Sequence, residues 1–425
     1  MLVINKIGKI SGRITVPGDK SISHRAIMLA AISSGRSVIE GFLNGQDCLS
    51  TMNCFQSLGI EIQQAGQRVE IQGKGLYGLQ EPTNVLDAGN SGTTMRLMSG
   101  ILAGQNFMSI ITGDSSLRQR PMARVTAPLQ KMGARIDGRV AGQYAPLVIR
   151  GGGLQGITWQ TPVASAQIKS AVLLAGLYAA GKTTVEEPMA SRDHTERMLA
   201  CFGVPVERSG AAVTVGKGSL SGQRIKVPGD ISSAAFFLAA AAAQPGAQLV
   251  IQNVGLNPTR TGIIDVLRQM GADIRLDNVQ SSGGEEAGDL IVTGGELHGT
   301  EVNREMIPRL IDEIPVLAVA AALAHGATRI TGAEELKVKE SNRLAAMAAE
   351  LGKMGVAIRE LPDGLLIEGS NQIKGAAINS YHDHRIAMAM AVCGLFAQGE
   401  TRIADSDCID ISFPGFSNLL QQITQ

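Results

Sequence analysis

The chain has 425 residues, of which 44% are hydrophobic and 18% charged, with 38 basic and 38 acidic side chains and therefore no formal net charge. That balance excludes a general polyanion binder, and an aromatic content of 3% leaves few stacking platforms for single-stranded nucleic acid. Two domains are the natural division for this length, and five cysteines, odd in number and without C-x-x-C spacing, fit a reducing compartment.

The first predicted element is a strand, KISGRITV, that stops at Pro17-Gly18. The opening MLVINKIGKISG has neither a signal-peptide core nor an Arg/Ser-rich transit pattern, so a cytoplasmic protein is expected. A helix follows through KSISHRAIMLAA, and its lead is repeated: Val16-Pro17-Gly18-Asp19 returns as Val227-Pro228-Gly229-Asp230, close to half a chain length later. The second lead runs into ISSAAFFLAAAA. Ser21 aligns with Ser232, but Lys20, His24 and Arg25 align with Ile231, Ala235 and Phe236. Two halves share a scaffold, and the cationic cluster belongs to the first copy alone. If both V-P-G-D turns are crossovers, the first strand joins the C-terminal half and 224–227 is its counterpart. One domain is then 1–18 plus 229–425 and the other 19–228, with hinges near 18 and 228. A ligand site between the domains, with hinge closure on binding, is the expected consequence.

A finer repeat runs through both halves. The pattern apolar-x-x-apolar-Gly-x-x-apolar occurs at 55–62, 129–136, 199–206, 267–274 and 351–358, at intervals of roughly 70 residues. Gly59, Gly133, Gly203, Gly271 and Gly355 stand where a helix would end in a left-handed cap, and a strand would start just after each. A sixth helix is expected around 419–423. The pattern predicts six copies of one α/β unit, three in each half. The apolar runs near 234–243 and 314–324 read as buried Ala-rich helices, too short to cross a bilayer.

Two nucleotide-binding patterns fail on context. Gly176-Leu-Tyr-Ala-Ala-Gly181-Lys182-Thr183 has Walker A spacing, but a helix precedes it and a strand follows, the reverse of a P-loop; Gly181 reads instead as a helix cap. Gly151-Gly-Gly153-Leu-Gln-Gly156 follows the strand PLVIR, but ITWQTPV after it is not helical.

The remaining clusters carry anion chemistry. Asp19-Lys20-Ser21 and Arg25 at a helix start combine free N–H groups, a hydroxyl and two cations. Asp87-Ala-Gly-Asn90-Ser-Gly92 leads into a second helix with Arg96 in its second turn, where the glycines admit close approach to the backbone. Arg118, Arg120 and Arg124 surround Pro121, and arginine is the preferred bidentate partner of carboxylate and phosphate. Ser165-Ala-Gln167 begins a third Ala-rich helix with neutral hydrogen-bonders, and Ser191-Arg-Asp193-His-Thr195 precedes another helix that Asp193 or Thr195 could cap. In the C-terminal half, Asp312-Glu313 heads an apolar helix. Lys339 and Arg343 fall at i,i+4 with Glu340 beside them if that stretch is helical, which in isolation reads as a surface ion-pair ladder. His382-x-His384 lacks a third ligand cluster, so no metal site is expected. Each cluster also has a bland reading as a solvated or capped helix start.

Together the strings PGDKSISHR, GNSGTTMRL, RQRPM, SAQIKSA, SRDHTE, DEIPVLA, VKESNRL, HDHRIAM and SFPGF resemble, in order from residue 17 to 416, the 5-enolpyruvylshikimate-3-phosphate synthase family of enolpyruvyl transferases. The resemblance implies a two-domain α/β enolpyruvyl transferase fold, each domain three repeated α/β units arranged like an inside-out barrel, six in all. It implies transfer of the enolpyruvyl group of phosphoenolpyruvate to the 5-hydroxyl of shikimate 3-phosphate, with loss of phosphate through a tetrahedral ketal, in aromatic amino acid biosynthesis. By the same resemblance Lys20, Ser21, Arg25, Ser165, Gln167, Asp312 and Lys339 hold shikimate 3-phosphate. Lys20, Gly92, Arg120, Gln167, Arg343 and Arg385 hold phosphoenolpyruvate. Asp312, Glu340 and Lys20 move the protons, and no cofactor is implied. A monomer without nucleic-acid or membrane partners is expected. Ile411 and Ser412 stand where many members carry a lysine, and the motifs resemble the family's second class. The alternatives are a UDP-N-acetylglucosamine enolpyruvyl transferase, which usually has Lys-Asn in place of Lys20-Ser21 and a cysteine in the loop at 117–120, and a non-catalytic repeat scaffold.

Overall fold

The computed structural model describes Met1–Thr424 except Asn371. It divides into two compact units. The N-terminal unit is Gly18–Val227 with Ser281–Glu285; the C-terminal unit is Met1–Pro17, Pro228–Gln280 and Glu286–Gln425.

Six small sheets, five of four strands and one of three, are built from the described residues. They repeat one scheme: an edge strand runs parallel to a second strand, which runs antiparallel to a third. In the sheet Leu86–Asp87, Met108–Thr112, Tyr144–Arg150 and Arg135–Gly138, for example, Leu86 pairs parallel with Ile111, and Ile111 pairs antiparallel with Leu147. The two V-P-G-D turns exchange edge strands between the repeats. Ser11–Thr15 precedes the Lys20–Ala31 helix yet pairs parallel with Gln248–Gly255 in the C-terminal unit. Arg224–Lys226 precedes the Ile231–Ala242 helix yet pairs parallel with Ser34–Glu40 in the N-terminal unit. The expected strand KISGRITV is Ser11–Thr15, with Ile10 in an isolated bridge to Thr424, and Leu2–Ile4 ahead of it forms a separate strand on the three-stranded sheet.

The repeat glycines end their helices as expected. Gly59, Gly133, Gly203, Gly271 and Gly355 all have φ between 83° and 110°, each just past an outer helix. The sixth outer helix is Phe416–Ile423. The Walker A string, Gly176–Thr183, runs from the end of a helix, Ala166–Gly176, to the start of a strand, Thr183–Glu186. Gly181 is not the helix cap, however: Leu177 caps, and Gly181, at φ +82°, turns the chain just ahead of the strand.

Each unit is organised around three central helices. In the C-terminal unit Ile231–Ala242, Ile314–Ala322 and His384–Gly394 are buried along their whole length. A helix apolar on every face has to be enclosed, and alanine lets neighbours approach closely. In the N-terminal unit the helices are Lys20–Ala31, Gly92–Ala103 and Ala166–Gly176. Contact between the last two is so close that a Cβ on Gly100 would lie 2.1 Å from the Ala171 carbonyl oxygen. The three N-terminal turns meet at one end of each unit. Arg25 reaches Ser170, and Gln167 reaches Thr93; in the other unit Ser232 bonds Glu313, and Arg385 bonds the Asp312 carbonyl. Converging helix N-termini present unsatisfied N–H groups and positive dipole ends.

Candidate active site

In the N-terminal unit the Lys20–Ala31 helix starts behind Asp19, whose Oδ1 accepts the Ile22 N–H at 2.9 Å. Lys20 projects from the first turn, its Nζ 3.2 Å from Asp47 Oδ2. Arg25 lies one turn deeper and is buried. Its Nε donates to Thr195 Oγ1 at 2.7 Å, Nη2 to Ser170 Oγ at 2.9 Å and Nη1 to the Ser21 carbonyl at 2.9 Å. Burial pulls this guanidinium down to about 10, with Glu196 and Asp19 opposing the fall, so it stays charged at neutral pH. His24, also buried, bonds Thr51 Oγ1 at 2.7 Å; burial and then the Lys20 and Arg25 charges push it well below its ordinary value, so the imidazole is neutral.

The Gly92–Ala103 helix starts behind Ser91, whose hydroxyl oxygen accepts the Thr94 N–H at 3.1 Å. A Cβ on Gly92 would lie 2.9 Å from Arg96 Nη1 and 3.5 Å from Arg120 Nη1. A side chain there would shift the Arg96 guanidinium, and two arginines thus converge on one helix N-terminus. Arg120 is steered by Asn90, Nη2 donating to Asn90 Oδ1 at 2.7 Å, and Asn90 in turn donates to Asp114 at 2.7 Å. Gln167 joins the second helix to the third: its Oε1 accepts from Arg96 at 2.6 Å, and its Nε2 donates to Thr93 Oγ1 at 3.0 Å. Ser165 stands at the cap position of the third helix, but its hydroxyl does not cap.

In the C-terminal unit a second cluster is built around Arg343, whose side chain is 1% exposed. Nε donates to Asp383 Oδ2 at 2.8 Å and Nη2 to Glu340 Oε2 at 2.6 Å, while Nη1 lies 3.5 Å from Asp312 Oδ1. Burial opposes this charge, but Asp383 and then Glu340 outweigh it and hold the guanidinium above its ordinary value. The Arg343 charge likewise keeps Asp383 ionised against burial. Asp383 also caps the next helix through the Arg385 N–H at 2.9 Å, and Arg385 Nη1 donates to the Asp312 carbonyl at 2.8 Å. Lys339 Nζ is 3.9 Å from Asp312 Oδ1. Asp312, Lys339, Glu340, Arg343 and Arg385 therefore form one connected group.

Lys339 is extended and the helix begins at Arg343 behind the cap Asn342, so Lys339 and Arg343 are not an i,i+4 helical pair. Nor is the stretch a surface ladder, because its arginine is buried.

A family model described as EPSP synthase (3-phosphoshikimate 1-carboxyvinyltransferase) matches residues 4–420. The chain belongs to the EPSP synthase family. It is 62% identical, over all of both chains, to the 3-phosphoshikimate 1-carboxyvinyltransferase of Alkaliphilus metalliredigens, and 56% identical over the full length to that of Brevibacillus brevis. The solved EPSP synthase of Acinetobacter baumannii superposes with a TM-score of 0.90 at 44% identity, covering 99% of this chain and 98% of that one. These relatives carry the name of the first expected activity and not that of the UDP-sugar alternative, and they do not favour a scaffold.

Each expected site residue lies in one of the two clusters: Lys20, Ser21, Arg25, Gly92, Arg120, Ser165 and Gln167 in the N-terminal unit, and Asp312, Lys339, Glu340, Arg343 and Arg385 in the other. Ile411 packs against the apolar core of the C-terminal unit. Sequence reasoning passed over Asp47, which pairs with Lys20 from another helix, and gave Asn90 no role toward Arg120. Asp193 does not cap its helix; its carboxylate takes Arg197 at 2.8 Å and Arg208 at 3.0 Å.

Proposed function

We propose that the chain transfers the enolpyruvyl group of phosphoenolpyruvate to the 5-hydroxyl of shikimate 3-phosphate and releases phosphate. The observation that carries the reading is the convergence of the Arg96 and Arg120 guanidiniums on the N-terminus of the Gly92–Ala103 helix, Nη1 of each lying 2.9 Å and 3.5 Å from where a Gly92 Cβ would stand. In this reading Lys20, Gly92, Arg120 and Gln167 from the N-terminal unit, with Arg343 and Arg385 from the other, hold phosphoenolpyruvate. Lys20, Ser21, Arg25, Ser165 and Gln167, with Asp312 and Lys339, hold shikimate 3-phosphate. Asp312 removes the 5-hydroxyl proton as the oxygen attacks C2 of phosphoenolpyruvate, and a proton is delivered to the methylene carbon. The resulting ketal then loses that proton and phosphate together, which restores the double bond. Glu340 and Lys20 carry the methylene and phosphate protons. The cations neutralise the leaving phosphate, placed before the charge develops.

We also assign the protein to the cytoplasm as a monomer. All five cysteines are free, and burial pushes the Cys54 and Cys393 thiols up to about 12, so these two supply no nucleophile. Among the described residues no helix is long and apolar enough to cross a membrane. Phosphate release from phosphoenolpyruvate with shikimate 3-phosphate or UDP-N-acetylglucosamine as acceptor tests the assignment. Turnover with the first alone is expected; turnover only with the second would overturn it.

A further inference from the structure

The head of the Ala166–Gly176 helix rests on a buried ion cluster that the reaction does not use. Lys169, 2% exposed, places Nζ 2.9 Å from Glu187 Oε2 and 2.8 Å from Glu196 Oε1, and donates to the Ser191 carbonyl at 3.3 Å. One ammonium and two carboxylates are thus enclosed together in the N-terminal unit. Buried ion clusters stabilise poorly compared with apolar side chains of the same volume, so stability alone does not account for this one.

The geometry of Glu187 supplies the missing reason. Its Oε1 accepts the Ser165 N–H at 2.9 Å, and its Oε2 accepts the Ser191 N–H at 3.2 Å and the Ser191 hydroxyl at 2.8 Å. One carboxylate therefore ties together the starts of two helices. Ala166–Gly176 carries Gln167 and, at its cap, Ser165. His194–Cys201 carries Thr195, which holds Arg25 Nε at 2.7 Å. Lys169 and Glu196 lie on these same two helices, so the ion pairs close a ring around the join. Only an acceptor with two ionised oxygens serves donors on both sides at once.

We propose that Glu187 is a positioning residue for shikimate 3-phosphate: it fixes the spacing between the Ser165 side and the Arg25–Thr195 side of that substrate's half-site, while Lys169, shared with Glu196, offsets part of the cluster's negative charge. The inference rests on the assignment of Ser165 and Arg25 to shikimate 3-phosphate.

Glu187→Gln keeps the volume and one acceptor but turns an NH2 toward the other set of donors. The KM for shikimate 3-phosphate is expected to rise about tenfold, the loss of one charge-assisted contact, while the KM for phosphoenolpyruvate stays within about twofold. Ser191→Ala leaves all three charges in place and removes a single hydrogen bond. It decides the matter if Glu187→Gln does not fold, and is expected to raise the same constant about threefold. A residue that only stabilises the fold lowers the melting temperature and the yield of active enzyme but leaves both Michaelis constants unchanged; that result in Ser191→Ala, and in Glu187→Gln where it folds, overturns the proposal. Ser165→Ala is measured beside them. If it raises the shikimate 3-phosphate KM and the other two do not, the positioning role alone is wrong. If all three are silent, the assignment of Ser165 is wrong and the proposal falls with it.

Discussion

The helices Lys20–Ala31 and Ile231–Ala242 are led in by the same four residues, Val-Pro-Gly-Asp, and differ in the chemistry that follows. Each has an aspartate cap, Asp19 bonding Ile22 N and Asp230 bonding Ser232 N, and each has a serine on its first turn. At the second head, Asp230, Ser232, Arg260 and Glu313 close on one another. Arg260 Nη2 donates to Ser232 Oγ at 2.7 Å and lies 3.2 Å from Asp230, and Ser232 bonds Glu313. All four are buried. The sequence alignment leaves that head without a cation, but Arg260 brings one back from a loop 30 residues beyond Asp230 and two acids answer it. At the first head Lys20 keeps 21% of its side chain exposed beside Asp47, and Arg25 and His24 lie behind it. A duplicated helix start is thus a closed internal joint in one copy and, in the proposed function, an anion site in the other. What separates the two is enclosure: all four groups of the second head are buried, whereas Lys20 keeps part of its side chain exposed.

Asp312→Asn tests that division most sharply. Asp312 and Glu313 are adjacent, yet Glu313 is buried in the closed joint while Asp312 faces Lys339 and Arg343. Loss of a general base costs about 10²–10⁴-fold in rate, so the turnover number is expected to fall by that factor. Calorimetric affinity for shikimate 3-phosphate should change little, since an amide keeps the hydrogen-bonding shape. Near-normal turnover would move the base role to Glu340 or to a substrate phosphate oxygen.

The two heads can next be broken separately. Lys20→Met removes a cation from the open head; turnover is expected to drop about 10²–10³-fold with the melting temperature almost unmoved. Arg260→Met removes from the buried joint the guanidinium beside Asp230 and Glu313, leaving Glu313 with Arg385 at 3.9 Å, and is expected to cost about 3 kcal/mol of stability, read by urea unfolding. Equal stability losses in the two variants would show that both heads are structural.

Arg120→Lys sharpens the picture of the open head. Asn90 orients the Arg120 fork, and an ammonium point charge does not reproduce it. The KM for phosphoenolpyruvate is expected to rise about tenfold, with that for shikimate 3-phosphate little changed. Parallel rises in both constants would contradict the donor-site assignment.

The repeat, the helix ends and both site clusters were legible in the sequence because each rests on local rules. Glycine at φ near +90° and aspartate before an Ala-rich run leave signatures within a few residues. What was not legible depended on residues distant in the chain. Nothing near Ser232 announces Arg260, and nothing near Ser165 announces Glu187, 22 residues on. The condition for an i,i+4 pair of Lys339 and Arg343, a helix through both, is not met for a local reason: Asn342 Oδ1 accepts the Ala345 N–H, so the helix starts after the turn that holds Lys339. Helical spacing misleads when a cap falls inside the motif.

The smallest expected effect concerns His24, which has Ala235 as its counterpart at the second head. Burial first, then the charges of Lys20 and Arg25, depress its folded-state value well below 6.5, while the unfolded chain titrates near 6.5. Below that pH the unfolded chain binds a proton that the folded one refuses. The neutral imidazole's contribution to stability is therefore whole above about pH 6.5 and is lost as pH falls from there toward the folded value. His24→Gln removes the titrating group while leaving an acceptor or donor for Thr51. Melting temperatures of the two proteins should converge between pH 7.5 and pH 5, because only the wild type loses the His24 contribution on acidification. Each depressed unit corresponds to about 1.4 kcal/mol, a few degrees at most for a chain of this size. Parallel pH profiles would mean that His24 takes up its proton without strain, and that the first head tolerates a third positive charge beside Lys20 and Arg25.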